Sequence, residues 1–403
     1  MSNLSDLSKL SLKGKPESTL LQNIEIYTPT RRIADGAILI RNSRIVWVGT
    51  KKGAARFSRG KMEPSPFSSR PMKIHDGRGL IAAPGFIDIH LHGGRGADFM
   101  DATPAAAVRV LQTHLRKGTT SAVPTLMTAP QADILAAIRA VRAAAAGTDV
   151  IPDVLGLHLE GPYISAEKRG AQPLAAVRPY AAREVREYLR AAGDGGIRIM
   201  TLAPEVPGAA ALTAFLIAHG IVAAAGHSNA DFARAARGLR AGISHGTHLF
   251  NAMTGLFHRD PGLAGALLLD DRASVELIAD GVHLHPAVVE TVLRLKPADK
   301  VILVTDATRH AGRGSRPFRT EDGKLYGSTI TLDAALRNVV RWTRRPLTEV
   351  LPLLTLNPAR LLGVEKRKGR LARGCDADIV LLDRALNVKR VFLGGKEVLF
   401  CRP

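Results

Sequence analysis

Eight short apolar runs, separated by Ala/Arg/Leu-rich stretches of helical period, predict an α/β chain whose main body is a TIM-like (β/α)8 barrel. A second observation agrees. Histidines and acids sit at the C-terminal ends of those runs, the face on which such barrels carry their active sites. The third concerns the two chain ends. Each holds several strand-like runs with no helix among them, so together they predict one small β-sandwich domain.

The elements follow in chain order. Residues 1–17 are polar without periodicity and read as a flexible tail. Runs at 22–27, 36–40 and 44–48 make the N-terminal part of the β-sandwich domain (18–80), and a Pro/Ser/Arg-rich stretch at 51–71 reads as a loop. The barrel (81–364) has strands near 85–92, 119–125, 153–160, 197–203, 221–227, 243–248, 275–280 and 300–306. Helical patterns fall at 104–117, 131–146, 181–193, 208–219, 229–241, 285–296 and 333–345, whereas 251–265 has no clear pattern. The C-terminal part of the sandwich (365–403) has runs at 378–383, 388–393 and 397–400, and Gly394-Gly395 between the last two signals a hairpin.

The chain has 403 residues, 46% hydrophobic and 23% charged, enough for one large domain and a smaller one. Its two cysteines, Cys375 and Cys401, make no CxxC pair and point to a reducing, cytoplasmic setting. No apolar run approaches the roughly 20 residues of a membrane span, so no membrane partner is expected. A formal net charge of +20 raises the question of nucleic acid. The basic residues are dispersed, however, and aromatics at 4% leave few stacking platforms, so no nucleic-acid partner is expected. A basic solvated surface, or a field that draws small anions to a site, accounts equally for the charge.

Chemistry concentrates at the ends of five runs: PGFIDIHLHG (84–93), GLHLEGP (156–162), GHS (226–228), GTHLFN (246–251) and VILVTD (301–306). In a strand Asp88, His90 and His92 share one face, so the two imidazoles reach a common point. Alone, that pair reads equally as two buried, hydrogen-bonded histidines. With Glu160, His227, His248 and Asp306 in the same structural setting, it reads as a metal site at a barrel mouth. Asp306, at the end of the last run, is placed to carry a proton for such a site.

These motifs resemble the N-acetylglucosamine-6-phosphate deacetylase family of the amidohydrolase superfamily. Further matches are GADFMDAT (96–103), GTTSAVPTLMT (118–128), AGHSNA (225–230), GTHLFNAM (246–253), LIADGVHLHP (277–286), LVTDAT (303–308), GSTITL (327–332), NPARLLG (357–363) and GRLARGCDADIVLLD (369–383). The resemblance runs from about residue 20 to the end. It implies a barrel of the amidohydrolase type with a β-sandwich from both chain ends, acting on the acetamide of N-acetyl-D-glucosamine 6-phosphate in amino-sugar catabolism. Glu160, His227 and His248 would hold the main metal and His90 and His92 a second. The cofactor is then a divalent metal, Zn2+ first with Fe2+, Mn2+ or Co2+ as alternatives, one or two per subunit. Asp306 would be the catalytic acid–base.

The resemblance also implies substrate contacts through Asn251, Ala252 and His283, and through Arg259 reaching the phosphate in a neighbouring subunit of a homodimer. His158 reads as a residue behind the ligands and His245, of opposite strand parity, as packing. Two departures stand out. Gln172 occupies the place of a histidine that stabilises the tetrahedral intermediate in some relatives, and a glutamine carries no charge. The stretch 309–325 is compact and basic where relatives have a longer excursion. The alternatives are a galactosamine-type deacetylase, another amidohydrolase, or a catalytically silent barrel scaffold; the intact ligand set and Asp306 argue against the last.

Overall fold

The computed structural model describes residues 11–12, 18–28, 31–58, 72–312, 319 and 323–399. The expected tail (apart from Ser11–Leu12), most of the expected 51–71 loop, part of 309–325 and Cys401 lie outside them. The chain divides into two compact units. One comprises Met1–Ile87, Leu115–Thr120 and Arg345–Pro403, the other Asp88–His114 and Ser121–Arg344.

In the first unit both chain ends share one nine-stranded sheet. Ile379–Leu382 pairs antiparallel with Ile81–Pro84, and Thr19–Tyr27 pairs with Arg32–Arg41, which pairs with Arg44–Thr50. Alternation puts Leu21, Ile38, Ile40, Ile45, Ile379, Leu381 and Phe392 into one core. The hairpin glycines Gly394 and Gly395 both have positive φ, 52° and 78°, as a two-residue turn between right-twisted strands requires. Lys51–Ser58 is a helix, not the loop expected from the stretch's composition. Ser11–Leu12, expected within the tail, pairs with Val398 and Leu399.

The second unit carries the barrel apart from Phe86-Ile87 and Thr119-Thr120. The barrel strands are Phe86–Leu91, Thr119–Leu126, Leu157–Glu160, Ile197–Leu202, Val222–Ala225, His245–Gly246, Ser274–Ile278 and Val301–Val304, paired in chain order. The ring closes where the Asp306 N–H donates to the His90 carbonyl at 2.8 Å and the His92 N–H to the Ala307 carbonyl at 2.8 Å. Parallel strands covered on both faces need apolar runs, and Val301–Val304 is buried at every residue.

The intervening helices are Pro104–Leu115, Gln131–Ala146, Ala182–Ala192, Ala209–Ala218, Phe232–Arg240, Pro286–Leu295 and Leu332–Thr343, close to the expected spans. Asp231 caps the fifth of these by accepting from the Arg234 N–H at 2.7 Å. Gly262–Leu269 is a further helix, in the stretch without a readable pattern. Seven of its eight residues are buried, so no polar face marks the 3.6-residue period. The sixth strand is only His245–Gly246, shorter than expected, because the chain turns away at Thr247-His248.

Candidate active site

The polar residues gather where the strands end. Glu160 closes the third strand, His227 follows the fifth by two residues, His248 the sixth by two, and Asp306 the eighth by two. His90 lies in the first strand and His92 just beyond it. His227, His248 and Asp306 have φ of 47°, 29° and 46°, a left-handed backbone that non-glycine residues adopt at a cost of order 1–3 kcal/mol. The local networks hold that strain. The His227 turn is tied down by Glu205, which accepts from Ser228 Oγ at 2.8 Å and the Asn229 N–H at 2.5 Å. Ser328 N–H donates to the Asp306 carbonyl at 2.7 Å, and Gly327 must be glycine there, since a Cβ would meet that same carbonyl oxygen at 2.6 Å.

Two donor sets result. Glu160 Oε1 lies 2.9 Å from His227 Nε2 and 3.0 Å from His248 Nε2, and those two nitrogens are 3.1 Å apart. His90 Nε2 and His92 Nε2 are 3.2 Å apart, with Asp306 Oδ1 at 3.5 and 3.2 Å. Glu160 Oε2, 3.3 Å from His92 Nε2, links the sets. Both have the spacing to hold a metal ion. The donor chemistry fits one. The Lys168 carbonyl, 3.0 Å from His227 Nδ1, accepts the proton on that nitrogen, so in the neutral form of the ring the Nε2 lone pair faces an acceptor-only carboxylate. A cation between them removes that repulsion.

Electrostatics agree. Burial pulls the imidazolium forms of His90 and His92 down, but the surrounding carboxylates outweigh it: His92 is raised to about 9 and His90 well above its ordinary value. Burial pushes Glu160 and Asp306 up, and the imidazoles bring both below the usual carboxylate range. The site thus gathers anionic carboxylates that hold either protons on the imidazoles or a metal in their place. His158, by contrast, is pushed down to about 3 by burial and by His90, and donates or accepts at Thr201 Oγ1, 2.7 Å away.

A cavity of about 380 Å3 opens over these groups. Gln172, Asn251, Ala252, His283 and Asp306 line it, as do Lys168, Arg319, Lys324 and Tyr326. Gln172 is 3% exposed; its Oε1 accepts from the Thr128 N–H at 2.9 Å and its Nε2 donates to Glu160 Oε2 at 2.6 Å. Its amide is therefore spent on orienting Glu160. Asn251 Nδ2 donates within its own turn to the carbonyls of His248 and Leu249. Asp280 Oδ2 fixes His283 Nδ1 at 2.7 Å, and although burial lowers the His283 pKa, that pairing raises it overall. Arg259 is exposed and does not line the cavity of its own chain.

Some residues were not foreseen. Lys168, Arg319 and Lys324 come from loops and carry no strand-end signal. Glu276, fully buried in the seventh strand, accepts from His90 Nδ1 at 2.8 Å and His245 Nε2 at 3.0 Å. His245 is accordingly a hydrogen-bonded member of the barrel interior, not the packing residue its parity suggested. The signal for Glu276 was present: a lone acid inside the run Ser274-Val275-Glu276-Leu277-Ile278.

Residues 81–398 match the model of the amidohydrolase family. The chain is 34% identical over 385 residues to an N-acetylglucosamine-6-phosphate deacetylase of Bacillus subtilis, covering 91% of this chain and 93% of that protein. It is also 34% identical, over 344 residues, to an N-acetylgalactosamine-6-phosphate deacetylase of Escherichia coli, covering 82% of this chain and 91% of that one. Among solved structures, an N-acetyl-D-glucosamine-6-phosphate deacetylase mutant from Mycobacterium smegmatis in complex with N-acetyl-D-glucosamine-6-phosphate superposes with a TM-score of 0.82 at 32% identity, covering 94% and 99% of the two chains.

Proposed function

Because this chain belongs to the amidohydrolase family, we propose that it hydrolyses the acetamide of N-acetyl-D-glucosamine 6-phosphate to D-glucosamine 6-phosphate and acetate. The observation that carries the reading is the convergence of Glu160, His227 and His248 with Asp306 in one cavity whose wall also bears Lys168, Arg319 and Lys324. The relatives name the substrate class, and a cationic wall beside a metal-binding floor suits a sugar phosphate.

Glu160, His227 and His248 would hold the main divalent metal, and His90, His92 and Asp306 a second. Histidine and carboxylate donors favour zinc, with Fe2+, Mn2+ and Co2+ also suited. Such an ion supplies Lewis acidity that activates water and polarises a carbonyl at neutral pH. Asp306, held anionic by its imidazole neighbours, takes a proton from the attacking water on a carboxylate oxygen and returns it to the departing nitrogen, without which the amine leaves poorly. Gln172 keeps Glu160 in place. His283, with its raised pKa, and the three wall cations receive the phosphate, for which charge-assisted donors are the strong ones.

The galactosamine epimer is the second reading, favoured by the equal identity to the Escherichia coli enzyme. A homodimer is the assembly we infer. The loop that carries Arg259 exposes Leu256 (51%) and Phe257 (66%), an apolar surface that a second copy would cover while Arg259 reached its phosphate. The setting we infer is cytoplasmic. No described helix is long and apolar enough to cross a membrane.

Acetate release from the 6-phosphates of N-acetyl-D-glucosamine and N-acetyl-D-galactosamine, and from the unphosphorylated sugars, tests the assignment. The reading predicts the highest kcat/KM with N-acetyl-D-glucosamine 6-phosphate. A preference for an unphosphorylated sugar, or no acetate from any of the four, would overturn it.

A further inference from the structure

We propose that Glu276 is a positioning residue that fixes which nitrogen of His90 faces the metal centre, and so controls occupancy of the His90–His92–Asp306 position. The inference rests on the two-position reading above. Among the described residues no lysine or arginine pairs with Glu276, yet its carboxylate is fully buried. A charge so placed persists only when hydrogen-bonded throughout. Oε2 receives His90 Nδ1 at 2.8 Å and the backbone N–H of His248 at 2.9 Å, and Oε1 receives His245 Nε2 at 3.0 Å.

A carboxylate anion only accepts, so each of these nitrogens carries a proton. For His90 this puts the proton on Nδ1 and leaves the lone pair of the neutral ring on Nε2. That is the atom 3.2 Å from His92 Nε2 and 3.5 Å from both Glu160 Oε1 and Asp306 Oδ1. The proton order continues outward. With Nε2–H donated to Glu276, His245 Nδ1 is an acceptor, and Ser274 Oγ stands 2.7 Å from it with a proton to give. Ser274, His245, Glu276 and His90 form a single directed relay inside the barrel. It is anchored at the backbone of His248, a residue of the other donor set. Partners of this kind, behind a metal-binding histidine, set the orientation and basicity of the ring.

The relay distinguishes two substitutions. In Glu276→Gln the one amide oxygen must face the His248 N–H, because a backbone donor cannot reverse. The NH2 then faces His245, which accepts by moving its proton from Nε2 to Nδ1, while His90 keeps Nδ1–H. Glu276→Met keeps the approximate shape but offers no such acceptor to His90.

The test is a Zn2+ titration, with a competing chelator, of the full-length metal-free protein in wild-type, Glu276→Gln, Glu276→Met, His90→Ala and combined Glu276→Met with His90→Ala forms. Long-range 1H–15N spectra of the histidine rings in the zinc-loaded wild type and Glu276→Gln accompany it. The weaker of two zinc affinities should fall by about 10- to 100-fold in Glu276→Met, with the stronger changing less. Glu276→Gln should retain most of it. Adding Glu276→Met to His90→Ala should cost the stronger site no more than Glu276→Met alone does. The spectra should show Nδ1–H on His90 in both proteins, and the His245 proton on Nε2 in the wild type but on Nδ1 in Glu276→Gln. If Glu276→Met does not fold, those spectra decide.

Unchanged weaker affinity in Glu276→Met, a wild-type His90 without a proton on Nδ1, or a His245 proton that stays on Nε2 in Glu276→Gln would overturn the proposal. A wild type that takes one zinc only overturns it as well, through the two-position reading. That outcome is told apart by appearing before any substitution is made.

Discussion

The cavity is lined by two kinds of residue. The floor, Glu160, His227, His248, His92 and Asp306, hangs from strand ends, is nearly inaccessible to solvent, and is cross-braced by hydrogen bonds from inside the barrel. The wall, Lys168, Arg319 and Lys324, comes from loops, and Arg319 and Lys324 are exposed. The floor spends strain, buried charge and three left-handed backbones to hold a few atoms about 3 Å apart. The wall supplies charge from side chains nearer the solvent. Bond-making atoms need placement to fractions of an ångström, whereas a phosphate dianion can be held by several cations in more than one arrangement. Substitutions should therefore act on kcat and metal content at the floor, and on KM at the wall.

The largest effect is expected from His227→Ala. It removes one of three donors of the main position, so zinc content by elemental analysis should fall and turnover should be lost almost entirely. An active variant with unchanged metal would remove the floor from the account. Next comes Asp306→Asn, which keeps the shape but cannot accept the proton. We expect kcat to drop by about 10² to 10⁴ while zinc at the main position is retained. A kcat near that of wild type would mean that another group moves the proton.

At the wall, the double substitution Arg319→Ala with Lys324→Ala should raise KM for the phosphorylated sugar by about a hundredfold or more, from the loss of two charge-assisted donors worth about 1.5–3 kcal/mol each. Kinetics with the unphosphorylated sugar should not move. Equal changes with both substrates would show that these residues shape the cavity without reading the phosphate.

The smallest effect is one of pH. The His283 pKa lies above its ordinary 6.5, because Asp280, with help from Asp306, outweighs burial and Arg319. Its positive charge is present below the raised value and is lost as pH rises through it. The ratio of kcat/KM for phosphorylated over unphosphorylated sugar should accordingly fall over that rise, and His283→Gln should flatten the fall. A ratio that falls identically in the variant would assign the titration elsewhere.

The same contrast explains what the sequence discloses. Floor residues are legible because each follows an apolar run such as Val301–Val304, and strand parity aligns His90 with His92. The wall is not, because an arginine in a compact basic loop looks like any surface arginine. Arg259, expected at the phosphate, lies outside the cavity of its own chain. Position in the sequence puts Gln172 at the site, but its pairing with Thr128 and Glu160 is a tertiary fact. Helix Gly262–Leu269 was hidden by its uniform apolarity, and helix Lys51–Ser58 by basic residues and a glycine shared with the loop-like stretch that follows.

Anomalous diffraction at the zinc edge, from crystals of the protein grown with zinc, tests the central claim most directly. The account predicts a strong peak coordinated by Glu160, His227 Nε2 and His248 Nε2, and a weaker one at His90, His92 and Asp306. Density without a peak within coordination distance of Glu160, His227 and His248 would contradict it.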